Sequence, residues 1–135
     1  MDLQVGQKAH RKFTVTEAMV SSYAEITGDY NPLHFDEAFA SKTRFGGLIA
    51  QGGITTGLLH ALVAMDMPGP GSVFTQQWWT FPKPVYIGDT LNAQATVTSL
   101  HQRLPMPDLS FVVTNQDGVE VLTGEATVYQ AASID

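Results

Sequence analysis

Gly52-Gly53-Ile54-Thr55-Thr56-Gly57-Leu58-Leu59-His60-Ala61-Leu62-Val63-Ala64-Met65 is the stretch whose reading decides the fold. Ile54, Leu58, Leu59, Leu62, Val63 and Met65 recur at helical spacing and leave little polar face, so the helix they predict must be buried on most sides. Met67-Pro68-Gly69-Pro70-Gly71 ends it abruptly. Beyond Ser72 the apolar period shifts from that of a helix to that of a strand. Val73 to Phe81, Thr90 to Leu100, Leu109 to Asn115 and Val119 to Tyr129 read as strands, expected in a meander. Asn115-Gln116-Asp117-Gly118 is a hairpin turn by composition, and Ile87-Gly88-Asp89 is a second candidate. A curved antiparallel sheet wrapped around one long helix is the economical way to bury such a helix. The expectation is an α+β chain forming a single domain across residues 1–135.

Upstream of the helix, Lys8 to Thr14 reads as a short strand. Thr14-Val15-Thr16-Glu17 fits a capping box with Thr14 as the N-cap, opening a helix through Met19, Val20, Tyr23 and Ile26 that stops at Gly28. Gly28 suits the left-handed conformation that ends a helix, and Asn31-Pro32 is expected to prevent a restart. Asp29 and His34 then share a stiff loop. Asp36 to Ala40 reads as a second short helix with two acids in its first turn.

Composition narrows the function classes. The chain has 135 residues, 44% of them hydrophobic, which is enough for a real core. A net charge of −6 with seven scattered basic residues argues against nucleic acid as a partner. The absence of cysteine removes disulfides, thiolate metal sites and cysteine nucleophiles. No H-x-H or H-E-x-x-H spacing suggests a metal site, and no glycine pattern suggests a nucleotide loop. The first residues lack the apolar core of a signal peptide, and no apolar stretch is long enough to span a bilayer. A soluble cytoplasmic protein without a membrane partner is the expectation.

Gly28-Asp29-Tyr30-Asn31-Pro32-Leu33-His34 resembles the G-D-x-N-P-x-H motif of the MaoC-like, (R)-specific enoyl-CoA hydratases, with Tyr23 and Ile26-Thr27 fitting its upstream positions. Phe45-Gly46-Gly47-Leu48-Ile49-Ala50-Gln51-Gly52 resembles that family's entry to the central helix. Phe81-Pro82-Lys83-Pro84-Val85-Tyr86-Ile87-Gly88-Asp89-Thr90 resembles its F-x-x-P-V-x-x-G-D-T segment. The resemblance implies a hot-dog fold, in which a sheet wraps a central helix. Subunits would pair as a homodimer or a dimer of dimers. It also implies reversible addition of water to a trans-2-enoyl thioester. The substrate would be an acyl-CoA or acyl-carrier-protein thioester, with coenzyme A entering as part of the substrate and no resident cofactor.

These residue types suit that chemistry. Asp29 and His34 gripping one water form a general acid–base pair, a contribution of about 10²–10⁴-fold per positioned group. Gly52 and Gly53 open the buried helix, where unobstructed amides at the positive end of its dipole would bind charge on the thioester oxygen. Asn31 is expected to brace the loop or help hold the water. Taken alone, Gly-Asp-x-Asn-Pro is an ordinary turn; His34 and the downstream glycines favour catalysis. Leu48, His60, Trp78 and Trp79 are candidates for the acyl pocket. A lone His on an apolar helix is more often a core side chain, which is the expectation for His60; beside Asp29 it would alter that group's proton affinity. Trp78 and Trp79 should face opposite sides of their strand, one on the central helix and one exposed. Lys42, Arg44, Lys83 and Arg103 are candidates for the CoA phosphates, although a place on a solvated face is the expectation for any single one, and His10 and His101 are expected at the surface. A hot-dog thioesterase is the first rival, weakened by the lack of an acid from Gly52 to Met65, Asp66 coming only at the far end. A non-catalytic acyl-binding subunit is the second, and it would have no need of Asp29 and His34.

Overall fold

A computed structural model describes residues 2–132. Strand β1 (Lys8–Thr14) leads into helix α1 (Glu17–Thr27), a single helical turn α2 (Pro32–Phe35) and the short helix α3 (Glu37–Ser41). The central helix α4 (Gly52–Ala61) follows. It is prolonged by a wider π-type turn over Leu62–Asp66, in which the Met67 amide donates to the Leu62 carbonyl at 2.9 Å. Strands β2 (Ser72–Thr80), β3 (Thr90–Leu100), β4 (Pro107–Thr114) and β5 (Glu120–Gln130) complete the chain.

All pairings are antiparallel, in the order β1-β3-β4-β5-β2. Only β3, β4 and β5 form the expected meander. Strand β2 crosses over to pair with β5, so Ile87-Gly88-Asp89 does not join neighbouring strands. It is still a tight turn, with Gly88 at φ 102° and the Asp89 amide donating to Tyr86 O at 3.0 Å. The Asn115–Gly118 hairpin is as expected, closed by the Asn115 amide on Val119 O at 2.9 Å.

Alternation along the strands builds the inner face: Leu91, Ala93, Ala95 and Val97 on β3, and Leu109, Phe111 and Val113 on β4, are buried. Leu58, Leu59, Leu62 and Val63 of the central helix press into this face, each with at most 1% exposure. Fully burying one such side chain stabilises by about 1.5–3 kcal/mol, which makes the helix–sheet contact the main source of cohesion. This is the hot-dog arrangement. The helix is not enclosed all round, however: Gly57, His60 and Met65 lie exposed along one side. No helix among the described residues is long and apolar enough to cross a membrane.

Local details correct the sequence reading at the first helix. Thr14 belongs to β1, its hydroxyl 2.8 Å from that of Thr90 across the ladder. Thr16 is the N-cap instead, its Oγ1 accepting from the Met19 amide at 3.2 Å. Asp36 likewise caps α3, accepting from the Phe39 amide, rather than lying within it.

Candidate active site

Helix α1 stops where expected. Gly28 adopts φ 83° and donates its amide to Ala24 O at 2.7 Å, turning the chain into Asp29. The Asp29 amide donates to Thr27 Oγ1 at 3.2 Å, and Asp29 Oδ1 accepts from the Asn31 amide at 3.3 Å. That leaves Oδ2 free to face His34. Asn31-Pro32 does not prevent a restart: Asn31 Oδ1 caps α2 by accepting from the Leu33 amide at 3.0 Å, and Pro32 sits in the first helical position, where a missing N–H costs nothing. His34 therefore stands on a short helical turn, not on a loop.

The imidazole is buried and held from behind. His34 Nδ1 lies 2.7 Å from the carbonyl of Ile49, and the Ile49 amide donates back to Leu33 O at 3.1 Å. A carbonyl only accepts, so Nδ1 carries the hydrogen, and in the neutral ring the lone pair sits on Nε2. That nitrogen points at Asp29 Oδ2, 3.8 Å away. The separation is too long for a direct hydrogen bond. A water about 2.8 Å from each atom would subtend about 85° between them, close enough to its own H–O–H angle to donate to both. The side chain of Asp29 is 41% exposed, so that side of the gap is open to solvent.

Ile49 links this pair to the mouth of α4. Gln51 is the N-cap residue but makes no capping bond, because its side chain runs the other way: Nε2 donates to Val20 O at 3.0 Å, and Oε1 is buried without a partner among the described residues. The amides of Gly52 and Gly53 likewise have no acceptor among the described residues, at the end of the helix where partial positive charge collects. Gly53 is required by packing, since a Cβ there would overlap the phenol of Tyr23. At Gly52 a Cβ would sit 3.3 Å from Cε1 of Phe81.

A cavity of about 240 Å³ opens beside this helix end, lined by Ile49, Ala50, Gly52 and Thr55 on one side and by the Phe81–Val85 segment on the other. Neither Asp29 nor His34 lines it; Ile49, whose carbonyl holds the His34 ring, does. Of the residues proposed from sequence for an acyl pocket, Leu48, His60, Trp78 and Trp79 do not line it either. His60 is an exposed residue on the open side of α4, neither in the core nor bonded to Asp29. Its Nε2 accepts from Gln77 Nε2 at 3.3 Å, and its ring lies 4.4 Å from that of Phe74. The tryptophans do face opposite ways: Trp79 packs on Phe111 and Phe74 of the core, with centroids 5.3 and 6.2 Å apart, while Trp78 is 79% exposed.

Sequence reading missed Thr55, Phe81 and Gln51. A polar side chain just before an apolar helix was the available signal for Gln51, and the aromatic opening the Phe81–Val85 segment was the signal for Phe81. His10 and His101 are exposed. Among the described residues no three His, Asp or Glu side chains gather as metal ligands would.

Known proteins resemble the chain over most of its length. The chain is 37% identical over 126 residues to the (R)-specific enoyl-CoA hydratase of Aeromonas caviae, covering 93% of this chain and 94% of the relative. It is 40% identical over 127 residues to the 3-hydroxybutyryl-CoA dehydratase of Methylorubrum extorquens, covering 94% and 80%. The solved structure of the A. caviae (R)-hydratase involved in PHA biosynthesis superposes with a TM-score of 0.90 at 37% identity, covering 95% of this chain and 97% of that one. Residues 2–116 match the family described as the MaoC like domain, and the chain belongs to that family.

Proposed function

We propose that this protein catalyses the reversible syn hydration of a trans-2-enoyl thioester to an (R)-3-hydroxyacyl thioester. The names of its relatives support the reaction class. The observation that carries the reading is the opposition of Nε2 and Oδ2 across 3.8 Å, with Nδ1 pinned to Ile49. A water held by both groups keeps an oxygen lone pair free for C3. As the C3–O bond forms, the pair takes one proton from the water, and the electrons of the double bond move to the thioester oxygen as an enolate. The free amides of Gly52 and Gly53 stabilise that oxygen, a type of contact worth about 10²–10³-fold. The enolate collapses as C2 takes a proton from the pair, and H and OH have added from one face. Dehydration runs the same steps backwards.

The thioesterase rival lacks its acid. Asp66, the first carboxylate after Gly52, is paired with Arg11 at 3.2 Å, beyond the far end of α4. A homodimer, or a pair of such dimers, completes the proposal. Its support is the open side of α4, the free edges of β1 and β2, and the exposure of Asp29.

The test uses purified protein and a short trans-2-enoyl-CoA, following loss of the conjugated double bond and release of free thiol together. Double-bond loss without thiol is expected, with Asp29→Asn and His34→Ala each lowering the rate about 10²–10⁴-fold. Thiol release would establish the thioesterase instead, and an (S)-alcohol product would contradict the proposed geometry.

A further inference from the structure

Building on the hydratase reading, we infer that the hydroxyl of Tyr23 is a third donor at the mouth of α4, hydrogen-bonding the thioester oxygen beside the amides of Gly52 and Gly53. Tyr23 lies on α1, upstream of Asp29. The place that a Cβ would take on Gly53 is filled by the end of its phenol, the hydroxyl nearest of all. In a helix the Cα–Cβ bond tilts toward the N-terminus, so the hydroxyl meets Gly53 on the side to which the free amides point. That is also the end of α4 where partial positive charge collects.

No group of the chain uses this hydroxyl. Tyr23 is half-buried, and its Oη has no hydrogen-bond partner among the described residues, yet it is not sealed off: the one sealed side-chain atom left without a partner among them is Gln51 Oε1. A packed tyrosine normally spends its hydroxyl on the protein, as Tyr86 does in donating to Phe45 O at 2.7 Å. The Tyr23 ring, by contrast, packs against the core while its polar tip stays open. It is also held in place. Gln51 Nε2 donates to Val20 O at 3.0 Å, tying the start of α4 to α1 one turn before Tyr23. Tyr23 O accepts from Thr27 Oγ1 at 2.7 Å, and that oxygen accepts in turn from the Asp29 amide at 3.2 Å. The hydroxyl and the catalytic acid are thus set on one short stretch of chain, and that stretch is fixed against Gly53 before substrate arrives.

The neighbour of Gly52 is the Phe81 ring, which has nothing to donate. Of the two aromatic rings against the helix mouth, only that of Tyr23 brings a donor. As the C3–O bond forms and electrons move to the thioester oxygen, the neutral phenol donates its O–H to that oxygen. It keeps its proton throughout, so the proton transfers stay with Asp29 and His34. A hydrogen bond to a neutral thioester carbonyl is weak, and it strengthens as enolate charge builds. Its contribution therefore falls on the rate of the chemical step more than on binding.

The experiment compares wild type with Tyr23→Phe, which removes the hydroxyl and leaves the ring. For a short trans-2-enoyl-CoA, kcat is expected to fall about 10²-fold with KM within about twofold. Tm should stay within about 2 °C, and both limbs of the pH–rate profile should keep their positions, since Asp29 and His34 are untouched. A second readout needs no turnover: the enolate absorbance of bound acetoacetyl-CoA, whose enolate places negative charge on the thioester oxygen. Its enolate-to-keto ratio at fixed pH should fall about 10-fold in the variant, as loss of a hydrogen bond to a charged group does. Affinity for butyryl-CoA, which forms no such enolate, should change less than about twofold. A raised KM with kcat unchanged would make the phenol a wall of the acyl site, and a lowered Tm with shifted pH limbs would make it a brace for Asp29. Either would overturn the inference, as would an enolate ratio that does not fall, whatever kcat does. A wild-type protein that leaves the double bond intact, but holds the enolate through Tyr23, would uphold the donor and refute the hydratase reading. Hydration indifferent to the hydroxyl would do the reverse.

Discussion

Replacing Gly53 by alanine tests how tightly the end of α1 is fitted to the mouth of α4. The added Cβ would fall within the Tyr23 phenol, overlapping the hydroxyl and coming within 2.5 Å of ring carbon Cε2. Overpacking of this kind costs about 1–3 kcal/mol. Exchange of glycine for alanine in a helix returns up to about 1 kcal/mol, and less in a first turn. The expected net loss is therefore about 1–2 kcal/mol, a fall in Tm of roughly 4–8 °C at this chain length. Tyr23→Phe should not relieve it, because the ring carbon remains. Tyr23→Ala should: in that background Gly53→Ala becomes neutral or stabilising, giving a coupling of about 2 kcal/mol in a double-mutant cycle followed by denaturant unfolding. Gly52→Ala is the internal control, since its Cβ meets only the half-exposed Phe81 ring at 3.3 Å, which can swing outward. If Gly53→Ala is as mild as Gly52→Ala, or if the coupling with Tyr23 is below about 0.5 kcal/mol, the close fit at this helix end is not what fixes the glycine.

Three further outcomes are expected. Gly57→Ala meets nothing within 4 Å in the single chain and should raise stability by about 0.5–1 kcal/mol; a loss of stability together with a shift toward monomer in light scattering would instead place that side of α4 against a second copy. Gln51→Glu would put a carboxylate at a site with 1% exposure, facing the Val20 carbonyl in place of a donor. A cost of about 3 kcal/mol or more is expected at neutral pH, and the loss should diminish in mild acid as the carboxylate protonates, read from denaturant midpoints at the two pH values. Asp108 is held below its ordinary value of 3.8 by the Ser99 and Thr127 hydroxyls, each donating at 2.6 Å, with a smaller contribution from His101. A carboxylate whose pKa is depressed by folding adds stability above its unfolded pKa and loses it as pH falls through the folded value. Ser99→Ala and Thr127→Val should therefore each lower stability by about 1 kcal/mol near neutral pH, and the difference from wild type should shrink as pH falls through the depressed folded value in acid titrations followed by circular dichroism.

Features set by local chemistry were legible in the sequence, and those set by partners distant in the chain were not. Gly28 could be read because a helix end needs a left-handed residue and glycine supplies it. The buried helix could be read because its apolar residues leave no alternative. Thr14 and Thr16 are both plausible caps by composition; the choice fell to Thr16 because β3 claims Thr14 through Thr90, a pairing no local pattern announces. The same limit applies to β2. Its alternation marks a strand, but its pairing with β5 across the sheet depends on the whole topology. His60 was expected in the core because its helix neighbours are apolar, yet the sheet wraps only part of the helix and leaves that side open. Pro32 was misjudged for a different reason. It blocks a helix interior, but it is favoured in the first position of a new one, and Asn31 supplied the cap.

The acid–base pair and the cavity walls are held by different kinds of contact, and this bears on how the site can vary. His34 is tied to Ile49 by its ring nitrogen and by the Ile49 amide on Leu33 O; Ala50 is tied to Val85 through the main chain. Asp29 is placed by Gly28, Thr27 and the Asn31 amide. The side chains of Ile49, Thr55, Phe81 and Val85, which shape the cavity, make none of the bonds that set the 3.8 Å separation. Substitutions among them can change cavity volume while the separation stays fixed by backbone. Ile49 is the informative case, since its carbonyl orients the imidazole while its side chain lines the cavity. Ile49→Ala should alter acyl-chain preference with little change in the pH dependence of kcat. A shifted pH profile would mean that side-chain packing at Ile49, and not the carbonyl alone, holds His34 in its tautomer.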